Sequence, residues 1–203
     1  MEPAKDSLAR MGRPRRFREE DALDAAMRVF WQKGYEGTSL DDLTKAMKIN
    51  RSSLYSTFGD KEALFCRVME QYSAGPLSFL PQALNLKTAG AVVEALLRMS
   101  VKFLGDPSHP PGCLSIQGGL ACGSGNEAVN RAMVDWRRAG LALLQKRLQR
   151  ARTEGDLRRG VDPKDLARLV MIMMNGLGIQ AVNGATAEEM NRAMDLALRS
   201  LPL

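Results

Sequence analysis

The sequence predicts an all-α protein, and three observations support that prediction. Apolar residues recur at helical spacing, as at Leu23, Met27 and Phe30, along most of the 203 residues. No segment alternates polar and apolar residues with the period of two expected for a half-buried strand. Glycine and proline residues separate the apolar stripes, so the chain divides into helices of ordinary length.

The composition is that of a folded protein, with 45% hydrophobic and 26% charged residues. Three cysteines, an odd number, indicate reduced thiols and not a disulfide scaffold. The N-terminal segment lacks the apolar core of a signal peptide. The apolar stretch from Leu166 to Val182 is interrupted by Arg168, Asn175 and Gln180, as in a buried helix and not a membrane span. We expect a cytoplasmic protein with no membrane association.

The net charge of +6 is concentrated near the N-terminus, where residues 10–18 hold five arginines and no acid. Basic segments attract polyanions, most often nucleic acid, although a solvated tail that only improves solubility has the same composition. We predict that residues 1–17 form a flexible basic arm.

Capping signals predict four helices between residues 18 and 74. Glycine ends a helix readily, whereas a Ser, Thr, Asn or Asp side chain can accept a hydrogen bond from the first free backbone N–H groups. The predicted boundary residues, in chain order, are Gly34, Thr38, Ser39, Asn50, Gly59 and Asp60. The following Gly75-Pro76 marks a domain boundary.

Residues 75–203 are predicted to form a second helical domain. Helical spacing covers residues 88–104, and the three prolines of residues 106–112 then predict a loop. A long helix follows and ends before Gly155, and Asp162-Pro163 begins the next one.

The last two predicted helices carry broad apolar faces, and the first of them is apolar nearly all round. Such a helix is buried on two sides, by its own core and by a partner subunit, or lies wholly inside one core. We predict a homodimer, since isologous dimers are the commonest oligomers. The predicted interface residues are Leu166, Val170, Met174, Leu177, Met190, Met194, Ala197 and Leu201.

Three short helices with a tight turn before the third describe a helix-turn-helix module. In the third helix Leu54 and Phe58 are expected to face inward, while Arg51, Ser52 and Ser53 face outward. Short polar side chains let a helix lie deep in a DNA major groove, and arginine can donate two hydrogen bonds to guanine. The module therefore predicts binding to double-stranded DNA.

Residues 34–40 (GYEGTSL), 43–46 (LTKA), 49–58 (INRSSLYSTF) and 60–64 (DKEAL) together resemble the TetR family of transcriptional regulators. The resemblance implies a two-domain, all-α homodimer that binds a palindromic operator, usually as a repressor. An effector bound in the C-terminal domain usually releases such a repressor. We predict a repressor and not an activator only because most members of the family are repressors.

The resemblance also implies roles for individual residues. Phosphate contacts fall to Thr38, at the start of the second helix, and to Tyr55 and Lys61, while the third helix reads base edges. For Tyr55 the alternative is an aromatic ring that seals the bundle, and for Lys61 a solvated lysine. The predicted DNA-binding residues are Arg13, Arg15, Arg16, Thr38, Ser39, Arg51, Ser52, Ser53, Tyr55 and Lys61.

Two positions depart from the family pattern. Lys48 occupies the turn where the family commonly has glycine, and Ser52 replaces a small residue, often glycine. If the turn is left-handed at Lys48, a residue with a Cβ costs about 1–2 kcal/mol there.

Cys113, Cys122 and His109 are the notable side chains near the proline-rich loop. They could form a thiol sensor for oxidants or electrophiles, or a soft-metal site, or the two cysteines could be small core residues. Their spacing matches no compact zinc motif, so we predict no metal site. Cys66 is expected to be a packing residue.

The twelve methionines suggest an adaptable pocket for a small apolar effector, although ordinary core filling would use them equally well. The predicted effector residues are Met99, Met133, Trp136 and Met173, with Cys113, Cys122 and His109 as the thiol candidates.

Two other classes of protein are alternatives to a DNA-binding regulator. A thiol-dependent enzyme would need a base beside Cys113, and His109 is the one histidine in the chain. The sequence has no phosphate-binding loop and no dinucleotide fingerprint, so we predict neither enzymatic activity nor a cofactor. The remaining alternative is a helical scaffold that binds protein partners.

Overall fold

The fold is taken from a computed structural model, which describes residues 17–118 and 125–203. These ranges contain ten α-helices and no strand, so the all-α prediction is confirmed. The helices are α1 (Glu19–Lys33), α2 (Leu40–Met47), α3 (Arg51–Phe58), α4 (Lys61–Ala74), α5 (Phe79–Leu84), α6 (Ala89–Leu104), α7 (Leu114–Gln117), α8 (Glu127–Thr153), α9 (Pro163–Val182) and α10 (Ala187–Ser200). The predictions for Arg13, Arg15, Arg16 and Cys122 lie outside the described residues.

Local caps define the N-terminal helices. Ser39 and Asp42 form a reciprocal capping box at the start of α2. The Asn50 side chain accepts a hydrogen bond from the Ser53 backbone N–H at 2.8 Å, which starts α3. Asp60 does the same for α4 through Ala63. These three caps are at predicted positions, because each depends only on residues two or three places away.

The first hydrophobic core lies among α1 to α4, with fully buried Phe30, Leu54 and Tyr72. It also includes Leu114 of α7 and Met133 of α8. This core therefore extends past residue 75 of the sequence, and the division into domains at that residue stays a prediction.

The second core is built from α6, α8, α9 and α10, with contributions from α5. Two short helices, α5 and α7, were not predicted from the sequence. Each has six residues or fewer, which is too short for a periodic apolar pattern. Gly178 lets α9 approach α7 closely, because a Cβ there would lie 2.8 Å from Cδ1 of Ile116.

The predicted dimer-interface residues need correction. Leu166, Val170, Leu177, Met190 and Met194 are buried inside the core of the same chain, and Met174, Ala197 and Leu201 are half-buried against that core. A helix that is apolar nearly all round has two apolar faces, and periodicity alone does not say which one meets its own core.

The exposed side of α9 carries several large apolar residues, and α10 adds one. Ile172 is 61% exposed and Leu196 is 64% exposed, and the other members of the face are Leu169, Ile179 and Val182. We call these five residues the outer face of α9–α10. Four of the five lie on α9, and large apolar side chains exposed along one helix are a candidate interaction surface.

Within the described residues, α9 is the one helix whose length and apolar composition would allow it to cross a membrane. Core helices of soluble proteins pass the same test. The exposed side of α9 also carries Arg168, Asn175 and Gln180 among its apolar residues. Such polar side chains would be costly in the middle of a lipid bilayer. A protein partner therefore explains the exposed apolar residues of α9 better than a membrane does.

Candidate nucleic-acid interface and effector region

The turn between α2 and α3 is left-handed at Lys48, where φ is 54° and ψ is 39°. Among the described residues Lys48 is the one non-glycine residue with positive φ. The conformation lets the Ile49 N–H donate to the Thr44 carbonyl at 3.1 Å and turns the chain into α3. The strain anticipated from the missing glycine is therefore present in this turn.

Helix α3 has one buried and one exposed side. Leu54 and Phe58 are buried in the first core, whereas Arg51, Ser52 and Ser56 are exposed and Ser53 is half-buried. This side of α3 offers a guanidinium group and three short hydroxyl side chains to a groove.

Tyr55 belongs to the exposed side of α3, with 51% of its surface accessible. Since about half of the residue is covered, a ring that partly seals the bundle and a hydroxyl available to DNA are compatible. An exposed tyrosine on this face can place its hydroxyl on a phosphate oxygen.

Arg51 is paired in the free protein with Asp41 of α2, and the two side chains are 2.8 Å apart. Both are exposed, by 61% and 79%, so the pair contributes little to stability. Arg51 can therefore leave Asp41 for another acceptor at small cost.

Thr38 does not fit its predicted role. Its side chain is 1% exposed, and its hydroxyl donates to the Gly34 carbonyl at 2.6 Å. The hydrogen bond closes the loop between α1 and α2, so Thr38 is a structural residue and the prediction of a phosphate contact is wrong for the hydroxyl. The neighbouring Ser39 is exposed at the start of α2.

The Ser39–Asp42 box is held by charge as well as by hydrogen bonds. Lys33 Nζ lies 2.6 Å from the Asp42 carboxylate. The hydrogen bond from Lys33, followed by those from Ser39, holds the pKa of Asp42 well below its usual range. The start of α2 is thereby attached to the end of α1.

Lys61, the first residue of α4, lies with Nζ 4.3 Å from the centre of the Tyr35 ring. This cation–π contact holds its stem beside the α1–α2 loop.

Lys45 and Lys48 are exposed, close to the start of α3 in the chain, and neither is among the predicted DNA-binding residues. Their positive charge within the helix-turn-helix was the signal that could have identified them.

Arg67 of α4 locks the orientation of α3. Its guanidinium group donates to the Thr57 carbonyl at 3.1 Å and to the Glu19 carboxylate at 3.0 Å, and it lies over the Phe58 ring. One side chain thus joins α1, α3 and α4, so movement of α4 moves the exposed side of α3.

Cys113 lies where the two cores meet and is half-buried. Its sulfur is 3.1 Å from the hydroxyl of Tyr72 on α4 and 3.0 Å from the hydroxyl of Ser115. Burial, and then the neighbouring Cys113, raise the pKa of Tyr72, so this hydroxyl stays protonated and can donate to the sulfur. The packing against both cores agrees with the core alternative, and the two hydroxyl contacts keep the thiol-sensor alternative open.

His109 is not a partner of Cys113. Both of its ring nitrogens lie against backbone carbonyls, Nδ1 2.9 Å from Pro110 O and Nε2 2.8 Å from Phe103 O. The ring is stacked on Trp31 with centroids 4.7 Å apart. These contacts leave no ring nitrogen for a metal or a thiol, and the described ranges contain no group of three potential metal ligands.

A cavity of about 530 Å³ lies between α5, α8 and α9. Most of its wall is apolar. Its cationic lining residues are Arg137, Lys146, Arg147 and Arg150, all on α8, and no Asp or Glu lines it. A site with an apolar wall and a few polar groups is the usual form of a ligand pocket.

The predicted effector residues do not all line this cavity. Trp136 does, whereas Met99 and Met173 pack against the second core and Met133 is buried in the first. Trp136 also donates its Nε1–H to the hydroxyl of Ser73 on α4, at 2.9 Å. The cavity wall is therefore in direct contact with the helix that carries Arg67.

Both halves of the chain match known protein families. Residues 22–68 match the family described as bacterial regulatory proteins, tetR family, and residues 90–200 match the tetracyclin repressor-like C-terminal domain. The HTH-type transcriptional repressor ComR of Escherichia coli is 27% identical over 196 residues, which cover 94% of this chain and 92% of ComR.

Two solved structures are also similar. A cysteine mutant of the TetR family transcriptional regulator CifR, complexed with 26 bp double-strand operator DNA, is 35% identical with a TM-score of 0.89, covering 94% of this chain and all of CifR. A putative TetR regulator from Rhodococcus sp. RHA1 is 37% identical with a TM-score of 0.61, covering 89% of this chain and 97% of that one. The helix-turn-helix, the all-helical C-terminal half and these matches together show that the chain belongs to the tetR family of bacterial regulatory proteins, as a DNA-binding transcriptional regulator.

Proposed function

We propose that this protein is a repressor that binds a palindromic operator as a homodimer and leaves it when an effector occupies the C-terminal half. The observation that carries the proposal is the exposed side of α3, where arginine and serine side chains lie on a helix locked by Arg67. CifR, a relative over nearly the whole chain, is known in complex with operator DNA. We assign the protein a regulatory role and no catalytic one, and a cytoplasmic location.

In the proposed complex Arg51, Ser52 and Ser53 face the base edges of the major groove. Tyr55 and Lys61 contact phosphates on either side, and the exposed Lys45 and Lys48 add to the positive surface there. The arm residues Arg13, Arg15 and Arg16 reach an adjacent groove or backbone. Phosphate contacts position the protein, while the α3 contacts select the sequence.

The outer face of α9–α10 is proposed as the dimer interface. Its five large apolar residues would be covered by the same five of the partner, since a two-fold interface is self-complementary. A palindromic site requires that the two α3 helices of the dimer lie on one side of it.

The route from effector to DNA runs through α4. A ligand in the cavity displaces Trp136, which is hydrogen-bonded to Ser73 of α4. Arg137 lines the same cavity and donates to the Ser115 carbonyl of α7, next to Cys113. A shift of α4 then moves Arg67 and, with it, the base-reading side of α3.

A second route to release is modification of Cys113. In addition of an electrophile, the thiolate sulfur forms a bond to an electron-poor C=C carbon, and the other carbon takes up a proton from water. The added group would separate Cys113 from Tyr72 on α4, 3.1 Å away. This route uses the same helix as the cavity.

Selection of bound duplexes from a random DNA pool with reduced protein tests the proposal. We expect a two-fold symmetric site, bound by an even number of subunits in native mass spectrometry, with affinity that falls steeply with salt. Recovery of salt-sensitive background alone, without a shared sequence, would contradict the proposal.

Treatment with N-ethylmaleimide tests the thiol route on the selected operator. The wild-type protein and Cys66→Ser should lose DNA binding, while Cys113→Ser should keep it. Cys66 is the matched control because burial, and then nearby acids, raise the pKa of its thiol and make it less reactive. Equal loss of binding in Cys113→Ser would contradict the role of Cys113.

A further inference from the structure

We infer that the cavity between α5, α8 and α9 binds an amphipathic anion, a carboxylate with an apolar tail, and that Arg147 receives the carboxylate. The inference rests on the proposed function, because it names the chemical class of the effector. It starts from an arginine whose burial the fold only partly explains.

Arg147 is 6% exposed and lies in the cavity wall. Its Nε donates to the Leu84 carbonyl at 3.1 Å, and Nη2 donates to the carbonyls of Leu86 and Lys87 at 2.9 and 3.1 Å. Nη1 is buried and has no hydrogen-bond partner. Two of the five N–H donors of the guanidinium group therefore have no acceptor among the described residues.

The positive charge of Arg147 is also unbalanced. No Asp or Glu of the described ranges forms an ion pair with it, and the carbonyls that it binds supply only partial charge. A buried cation without a counterion is costly unless an anion arrives. A purely structural role, in which Arg147 holds the α5–α6 connection, accounts for Nε and Nη2 and leaves Nη1 unexplained.

The remainder of the cavity defines the rest of the ligand. Its other cations, Arg137, Lys146 and Arg150, add positive potential, and no acid is present to attract a cationic ligand. The apolar lining suits a hydrocarbon or aromatic tail, since polar atoms would lose their hydrogen bonds there. These apolar lining residues are Leu80, Pro81, Leu84, Leu96, Trp136, Leu143, Leu144, Met171 and Met174.

Existing contacts connect Arg147 to the DNA-binding half, so a ligand bound there could affect that half directly. The carbonyls held by Arg147 end α5 and begin the connection to α6, and α5 follows α4 after a short turn. A carboxylate that shares the guanidinium group changes how tightly α8 holds α5. The tail meanwhile meets Trp136, whose indole is bonded to α4.

The test uses three probes with the same alkyl chain: decanoate, decanol and decylammonium. Calorimetric titration of the full-length homodimer should give decanoate at least about tenfold tighter binding than decanol, in line with one charged hydrogen-bonded pair. Decylammonium should bind most weakly. Dodecanoate should bind more tightly than decanoate, by about fourfold for each added CH₂.

Arg147→Gln should remove the preference for decanoate over decanol, and Arg147→Lys should retain part of it. Arg131→Gln is the matched control, an exposed arginine of the same helix outside the cavity lining, and should behave as the wild type. If Arg147→Gln does not fold, the charge series on the wild-type protein still decides. Equal binding of decanoate and decanol, or an unchanged preference in Arg147→Gln, would overturn the inference.

Binding to the selected operator separates this inference from the proposed function. Decanoate that binds through Arg147 without releasing DNA would support the anion site and contradict its role as the effector site. Specific DNA binding with no decanoate affinity would leave the repressor intact and refute the anion site.

Discussion

The helix-turn-helix and the α9–α10 pair are both helical, but different interactions define their structures. Helices α2 and α3 have eight residues each, are capped by side chains three places away, and expose a polar side. Helices α9 and α10 are longer, and α9 is apolar on its exposed side as well as on its buried side. The first region is defined by local hydrogen bonds, whereas the second depends on what packs against each face.

Substitutions in these two regions should therefore have different kinds of effect. In the helix-turn-helix a single residue changes a cap, a turn or a contact with DNA, and its effect stays local. In α9 the effect of a substitution depends on which face it alters. The inner face belongs to the fold of one chain, whereas the outer face is proposed to join two chains.

Ile172→Glu should produce the largest effect. It places a carboxylate at the centre of the outer face, and two-fold symmetry places two of them in one interface. We expect the dimer dissociation constant to rise by at least about a hundredfold, equivalent to about 3 kcal/mol. Sedimentation analysis over a concentration series measures it.

Gln149→Glu, an exposed position on α8, is the control for added charge and should leave the dimer intact. Val170→Ala, on the inner face, should instead lower the stability of each subunit. An Ile172→Glu protein that remains dimeric would show that the outer face is not the interface.

Arg51→Ala should weaken binding to the selected operator by about 1–3 kcal/mol and relax the base preference at one position. Lys61→Ala should weaken all sequences alike and lower the salt slope by about 1, because it removes one phosphate contact. Fluorescence anisotropy with operator and scrambled duplexes measures both. Unchanged selectivity in Arg51→Ala would contradict the proposed orientation of α3.

Lys48→Gly should stabilise the protein by up to about 1 kcal/mol, because glycine adopts the left-handed conformation at φ 54° without a Cβ clash. Lys48→Val should destabilise it, since a β-branched side chain suits that conformation least. Urea denaturation measures both. As a control, Lys45→Gly within α2 should have the opposite sign and cost about 1 kcal/mol. A destabilised Lys48→Gly would mean that the turn holds no strain.

Asp42→Asn should give the smallest effect, and that effect should depend on pH. The pKa of Asp42 is lower in the folded protein than its usual 3.8, so its carboxylate stabilises the fold above that value. This stabilisation is lost as the pH falls through the lowered pKa. The difference between the wild type and Asp42→Asn should therefore be full at pH 7 and shrink below about pH 4.

Urea midpoints at several pH values measure the Asp42 difference. Ser39→Ala, which removes the hydroxyl of the same capping box, should cost about 1 kcal/mol at neutral pH. A difference for Asp42→Asn that stays constant down to pH 3 would contradict the origin assigned to it.

The N-terminal half of the fold could be predicted from the sequence because its signals are local. The caps at Ser39, Asn50 and Asp60 lie where the sequence places them, and so does the left-handed residue at Lys48. The phosphate contact of Thr38 is implied by the family resemblance alone. The sequence does not show that its hydroxyl bonds to the Gly34 carbonyl, four residues earlier, and is buried there.

The sequence by itself determined the all-helical class, the position of most helices, the exposed side of α3 and the family. Tertiary structure alone decided which face of α9 meets the core, that Arg147 lies buried beside an apolar cavity, and that Cys113 contacts Tyr72. The physical reason is the range of the interactions. Caps and turns join residues three or four places apart, whereas the Arg147 and Cys113 contacts join residues about 40 to 60 positions apart and depend on the packing of whole helices.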